Sequence, residues 1–560
     1  MTSRRQPHRT HIARLAAFTL FLAAGAQATS QSPAGPRFYA DDPLWTEPNT
    51  QDAAGVQSWD LDLAWDLVEN LFTSPGDSAT DQRAVNVNTV DEVPNGAWFT
   101  NRTQTRPLTP EEVARGANTG TGPTPGRWVV VSAKSDGITP GFTVRDTEGV
   151  IWFLKFDPPG WRGMATGTEV TVAKLLWALG YHTPEYYIAT LRMDGLDIAK
   201  GTKITPPGAE PRQMVTGDLE WLLRQADREK DGSYRVIASR ALPGKPLGGF
   251  RFYGTRPDDP NDVYAHEHRR ELRGYGVFAA WFNHVDAKSI NTMDTLLAEN
   301  GHGFVRHYLL DFGSAMGSAA VGPREYWEGR EYLVEPGVVG KGIFGFGFYG
   351  LGRRMTPMYE APSIGRIDRD NSDWDPEDWK PRIPNPAFVR ARADDEFWAA
   401  RKATGITDAM VRAAVSEGKF GAADDEARLV RALIDRRNAI ARRYLPAINP
   451  IVDPALDAQG RLTFRNAAVD AGVAPDAAQY SAEWGAFDNA TGETRPLGEA
   501  KGTREGIAAP QALPSEPGAF VRIAVRAVEH QNPEWKKPVH IFFRRAADGW
   551  TLVGLDRLPK

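Results

Sequence analysis

Two patterns of apolar spacing alternate along the chain, and each is concentrated in its own stretches. Leu61, Trp65, Val68 and Phe72 recur at i, i+4, i+7 and i+11, so Asp60 to Phe72 is predicted as a helix with one apolar stripe. Trp128-Val129-Val130-Val131 and Val150-Ile151-Trp152-Phe153-Leu154 are short β-type runs. The turn-rich Ser135 to Gly141 lies between them as a hairpin connection. Val172, Leu175, Leu176 and Leu179 then share a face, which predicts a helix from about Thr168 to Leu179 with Gly180 placed to end it. Tyr186 to Leu191 and Tyr234 to Arg240 again suit strands. Glu267 to Asn283 has helical spacing, with Leu272, Tyr275, Ala279 and Phe282 inward.

Further on the balance changes. Residues 385 to 448 are helix-rich and include the Arg/Ala-rich stretch Glu426 to Tyr444. From Pro450 the pattern is β throughout, with strict alternation in Val521 to Arg526 and a hairpin signal at Asp548-Gly549. A Pro-, Asn-, Asp- and Trp-rich segment occupies 29 to 126 and ends in the Gly/Thr/Pro linker Gly116 to Gly126. The fold class expected is α+β: a strand-rich lobe, then a helix-rich lobe, then a small all-β domain over 449–560. No internal repeat is present.

Composition narrows the chemistry. The 560 residues include no cysteine, which removes disulfides, thiolate metal sites and cysteine nucleophiles together. With 41% hydrophobic residues the chain can build real cores, and a formal charge of −5 gives no footprint for nucleic acid. Arg4, Arg5, Arg9 and Arg14 precede an apolar run from Leu15 to Ala24 and the exit Gly25-Ala26-Gln27-Ala28. That is the layout of a secretory signal peptide cleaved after Ala28, and it predicts a periplasmic or secreted protein. The run is too short for a transmembrane helix, and no later segment reaches about 18 uninterrupted apolar residues, so no transmembrane segment is expected.

The chemistry is concentrated in Phe282-Asn283-His284-Val285-Asp286-Ala287-Lys288-Ser289-Ile290-Asn291, followed by Tyr308-Leu309-Leu310-Asp311-Phe312-Gly313. An Asp with an Asn five residues later, and then an apolar strand ending in Asp-Phe-Gly, is the set that metal-assisted phosphoryl transfer needs. Asp286 can accept a hydroxyl proton, Asn291 and Asp311 can hold Mg²⁺ or Mn²⁺ through hard oxygens, and Lys288 can reach the transferred group. This arrangement resembles the protein-kinase-like fold: His284 to Asn291 matches its catalytic loop, and Asp311-Phe312-Gly313 its Asp-Phe-Gly. It is more similar to the atypical HipA-like, CotH-like or phosphoinositide-kinase-like members than to ordinary Ser/Thr kinases. The position before Asp286, arginine in the family, is Val285 here, so regulation through a phosphorylated activation loop is not implied.

The resemblance covers about residues 127–448 and implies a β-rich lobe over 127–243, a helical lobe over 244–448, and ATP as the nucleotide. Lys155, inside the strand Phe153-Leu154-Lys155-Phe156, then corresponds to the lysine on the α/β-phosphates, with Glu169 as its helix partner. Thr166-Gly167-Thr168-Glu169 equally spells a capping box, in which Glu169 would only satisfy a backbone N–H. Gly137 and Gly141 are the candidate glycines of a phosphate-covering loop, although the full G-x-G-x-x-G is missing there. Gly340 to Gly345 and Gly345 to Gly350 do fit that pattern, but they open no helix of a βαβ unit. Two functions are expected to compete. One is an exported, ATP- and Mg-dependent phosphotransferase acting on a hydroxyl of a protein, glycan or small molecule. The other is a pseudokinase-like binding protein. Nucleotidyl transfer on the same fold stays open.

Overall fold

The structure is a computed structural model that describes residues 35–78, 81–134, 141–206, 209–299, 301–335, 361–367, 371 and 374–558. The expected signal peptide, Gly137 and the glycine-rich 340–350 stretch lie outside the described residues. The chain is mixed α+β, and among the described residues no helix is long and apolar enough to cross a membrane.

A six-stranded sheet comes first, built from β1 (Trp128–Lys134), β2 (Gly141–Arg145), β3 (Ile151–Phe156), β4 (Tyr186–Leu191), β5 (Leu196–Ile198) and β8 (Tyr234–Arg240), while the short β6 (Lys203–Ile204) and β7 (Arg212–Gln213) pair only with each other. The strand order of that sheet is β4-β8-β3-β2-β1-β5. All its pairings are antiparallel except β1 with β5. The expected single connection between the first two strands in fact contains β2, paired residue for residue with β3. Side chains alternate across β3, so Trp152, Leu154 and Phe156 enter one apolar core while Phe153 and Lys155 face the other way. The position of Lys155 follows from that period of two.

On the Lys155 side lies α3 (Met164–Leu179), which follows α1 (Leu63–Phe72) and α2 (Pro110–Arg115) in the chain and is buried on nearly every face. It begins four residues before the sequence pattern suggested, and its start decides between the two readings of Glu169. The N-cap position is Gly163, in the left-handed region at φ 87°, with no capping side chain of its own. Asp157, directly after β3, serves the helix end instead. Its carboxylate accepts from the N–H groups of Gly163, Ala165 and Thr166 at 2.8–2.9 Å and from the Thr166 hydroxyl at 2.8 Å. The capping box is therefore not formed, and Glu169 is released into the helix interior. Gly180 ends the helix at φ 120°, where an added Cβ would lie 2.1 Å from the Phe99 ring.

After β8 the chain turns at Gly244 (φ 84°) into a second, three-stranded sheet in the order β11-β10-β9. Strands β10 (Thr292–Glu299) and β11 (His302–Leu309) form a continuous antiparallel hairpin against β9 (Lys245–Gly248). The buried helix α5 (Arg270–Trp281), next in the chain after α4 (Thr216–Leu223), precedes it. The helices Ala393–Thr404, Asp408–Glu417 and Ala423–Tyr444 supply the expected helix-rich region, and they share one apolar core with α3 and α5. Arg270, fully buried on α5, donates to Asp91, Asp394 and Asp395, which ties the N-terminal segment to those helices.

The C-terminal region is β-rich, with a five-stranded antiparallel sheet and a three-stranded one, and includes the hairpin expected at Asp548-Gly549. It is not purely β, because the short helix Ala467–Asp470 is capped by Asn466.

One local expectation is inverted. The N-terminal helix α1 (Leu63–Phe72) forms, but Trp65, Val68 and Phe72 of the predicted stripe are exposed while Asp66 and Asn70 are buried. The polar face turns inward toward a cation and onto itself: Asp66 lies 3.7 Å from the Arg251 guanidinium, and Asn70 Nδ2 donates to the Asp66 carbonyl at 2.6 Å.

Candidate functional site

The hairpin β10–β11 explains how two distant parts of the sequence meet. Thr292 pairs with Leu309, and Leu310 N–H donates to the Asn291 carbonyl at 2.9 Å. Asn291, just before the first strand, and Asp311, just after the second, therefore stand side by side at the open end of the ladder. Asp311 adopts a left-handed backbone (φ 58°, ψ 59°), a conformation an Asp tolerates better than most residues. Phe312 next to it is fully buried, its ring edge-on to His284 at 5.7 Å and to Tyr186 at 6.3 Å. That anchor fixes the backbone from which the Asp311 carboxylate projects.

Lys155 reaches the same point from β3. Its Nζ donates to Asp311 Oδ1 at 2.8 Å and to both Glu169 oxygens at 3.2 and 3.3 Å. Burial by itself would lower the ammonium, but the Asp311 and Glu169 carboxylates outweigh it and hold Lys155 above the ordinary lysine value. Glu169 is deeply buried, so desolvation pushes its carboxyl up against the pull of Lys155. Gly313 leaves room for it; a Cβ there would stand 3.0 Å from Glu169 Oε2.

Across the cleft, α5 ends and the chain passes through Asn283 at φ 47° into the loop that carries Asp286. The Asp286 carboxylate faces three cations: Arg324 at 2.8 Å, Lys288 at 3.4 Å and Arg382 at 3.9 Å. Desolvation pushes its carboxyl up, but these charges win and hold it down at about 2. Asn291 Nδ2 donates to the Asp286 carbonyl at 2.8 Å, so the amide is oriented by the loop it closes. His284 is buried, accepts from or donates to the Tyr275 hydroxyl at 2.7 Å, and is pushed down to about 4 by burial. It is not among the residues that line the cleft.

Lys155, Glu169, Asp286, Lys288, Asn291 and Asp311 all line one cleft of about 460 Å³ between the six-stranded sheet and the hairpin. Gly141 does not line it. That glycine opens β2 as the ladder partner of Lys155, which places the end of the candidate covering loop beside the lysine strand. Two cationic lining residues have no counterpart in the sequence reading, Arg324 and Arg382. Each is an arginine in an irregular segment of a chain with 66 basic residues, 38 and 96 positions beyond Asp286, and neither spacing nor periodicity singles it out. Compared with known proteins, the chain matches no family model, no curated protein and no solved structure. The chemistry of the cleft has to be read from its own residues.

Proposed function

We propose that the chain is a kinase-like phosphotransferase that moves the γ-phosphoryl of ATP to a hydroxyl acceptor. The observation that carries the reading is the meeting of Lys155, Glu169 and Asp311, drawn from a strand, a helix and a hairpin end up to 156 residues apart, in the cleft that also holds Asp286 and Asn291. A structural ion pair needs one carboxylate for one lysine; here one lysine joins two carboxylates at the mouth of a cleft. The sheet-borne lysine with its helix glutamate on one side, and the loop and hairpin residues on the other, support the two-lobed kinase-like arrangement.

In this reading Lys155, positioned by Glu169, binds nucleotide phosphates. Asn291 and Asp311 would hold Mg²⁺ or Mn²⁺. The residues suit such an ion: Nδ2 of Asn291 is committed to a carbonyl, which leaves the amide oxygen for a hard cation. Among the described residues no group of three or more acidic or His side chains is placed to cage a metal, so phosphates and water would complete the coordination. When bound, the ion supplies neutralisation of charge on the transferring phosphates. Asp286 orients the acceptor hydroxyl. As the hydroxyl oxygen bonds to the γ-phosphorus, the bond to the ADP oxygen breaks and the hydroxyl proton passes to the Asp286 carboxylate.

A second reading, a nucleotide-binding scaffold, draws on the Arg324 clamp, because a carboxylate held near 2 is a weak base. The test separates them. Mg²⁺ with ATP should raise the melting temperature of the protein, and Asp311→Ala should abolish the shift; no shift at millimolar nucleotide would reject both readings. Transfer from γ-labelled ATP that is lost in Asp286→Ala supports the enzyme, and binding without transfer supports the scaffold. For the export expectation, amino-terminal sequencing of protein recovered from the periplasm or medium should begin at Thr29.

A further inference from the structure

The cations around Asp286 are not equivalent, and the difference points to the acceptor. Arg324 is buried, and each of its three nitrogens donates a hydrogen bond. One of its terminal nitrogens donates to Asp286, the other to Glu328 at 2.7 Å, and Nε to the Ser318 carbonyl at 3.0 Å. Lys288 and Arg382 are each about a third exposed and line the cleft. Neither side chain makes a hydrogen bond among the described residues. Lys288 only approaches Asp286 at 3.4 Å, and Arg382 lies 3.5 Å from Glu328 and 3.9 Å from Asp286. Two carboxylates thus answer three cations, and the surplus positive charge belongs to the two groups with unused donors. Oδ1 of Asp286, between them, is buried and accepts no hydrogen bond.

Resting on the phosphotransferase reading, we infer that the acceptor carries an anionic group of its own, a phosphate ester or a carboxylate, close to the hydroxyl that is phosphorylated. Arg382 and Lys288 bind that group, and Asp286 Oδ1 receives the hydroxyl. A planar guanidinium presents paired donors to either anion, and an uncharged acceptor would leave the hydrogen-bond donors of both cations unused in a partly desolvated cleft. Arg324 holds Asp286 in place throughout, since each of its nitrogens is already hydrogen-bonded.

Glycerol 3-phosphate and glycerate, with glycerol as the uncharged control, are suitable probes because each presents hydroxyls beside a defined group. They are titrated by NMR or calorimetry into the full chain without nucleotide or metal. Both anionic probes are expected to bind and glycerol not to. Arg382→Gln should weaken the anionic probes about tenfold, with partial recovery in Arg382→Lys. The ratio between the two probes identifies which anion the site prefers. Equal binding of glycerol, or probe affinities unchanged in Arg382→Gln and in Lys288→Gln, would overturn the inference. Asp311→Ala serves as the cross-check. It should remove the nucleotide-induced thermal shift and leave probe binding intact, so failure of the acceptor site and failure of the nucleotide reading give different results.

Discussion

The two ends of the cleft are electrostatic opposites. At the sheet end one cation, Lys155, lies between two carboxylates; at the loop end one carboxylate, Asp286, lies among three cations. The partners also differ in exposure. Glu169 is buried, whereas Asp311 is about half exposed, so Lys155 has one permanent partner and one that faces solvent. At the loop end the permanent partner is the buried Arg324, and the exposed ones are Lys288 and Arg382. Each end therefore pairs a fixed, desolvated contact with exchangeable ones. The exchangeable groups are a carboxylate on one side and cations on the other, the arrangement on which the proposed metal–nucleotide and anionic-acceptor subsites rest.

Substitutions can test that contrast. The largest effect is expected from Asp311→Ala, which should eliminate the Mg²⁺–ATP thermal shift and reduce transfer by about 10³-fold or more, since it removes electrostatic stabilisation of the moving phosphoryl. Asp286→Ala comes next. Its transfer rate should fall by roughly 10²–10⁴-fold while the thermal shift survives, which would show that the two ends act separately. A variant in which both readouts fall together would break the comparison.

Stability then tests which contacts are fixed. Lys155→Met leaves Glu169 buried without its cation and should destabilise the protein by about 1–3 kcal/mol in denaturant melts. Adding Glu169→Gln should recover part of that loss, a non-additivity expected only for a true pair.

A smaller effect concerns pH. The Asp286 carboxyl is held below its unfolded value, so its contribution to folding is complete above about pH 4 and is lost as pH falls through about 2. That contribution is on the order of 2 kcal/mol. In Arg324→Gln the carboxyl should rise toward its ordinary value, and the acid limb of both stability and transfer should move to higher pH. Since His284 is down at about 4, wild-type activity should show no limb from it between pH 5 and 8.

Much of this site was legible in the sequence because it is carried by short, local patterns. The alternation in Trp152 to Phe156 fixes the side of the strand on which Lys155 emerges, and the five-residue step from Asp286 to Asn291 spans a single loop. The strand running into Asp311-Phe312-Gly313 needed only its partner to close. What could not be read depends on contacts made across the fold. Arg324 and Arg382 reach Asp286 from irregular chain with no periodicity. Glu169 could have been a cap until Asp157, twelve residues earlier, was seen to occupy the helix end. The buried face of α1 does not follow its apolar spacing, because the Arg251 guanidinium 3.7 Å from Asp66 comes from a distant part of the chain.

The hairpin that joins Asn291 to Asp311 also acts as a measuring rod. The separation of the two groups is set at the first rung, Thr292 with Leu309, whereas the turn at Gly301 (φ 81°) is eight residues of ladder away. Chain added at the turn would leave the first rung in register, while a single residue removed from either strand would turn its side chains over. The tip at residue 301 is accordingly a natural place to insert a fluorophore tag or an affinity peptide into a working protein, and the strands beneath it are not.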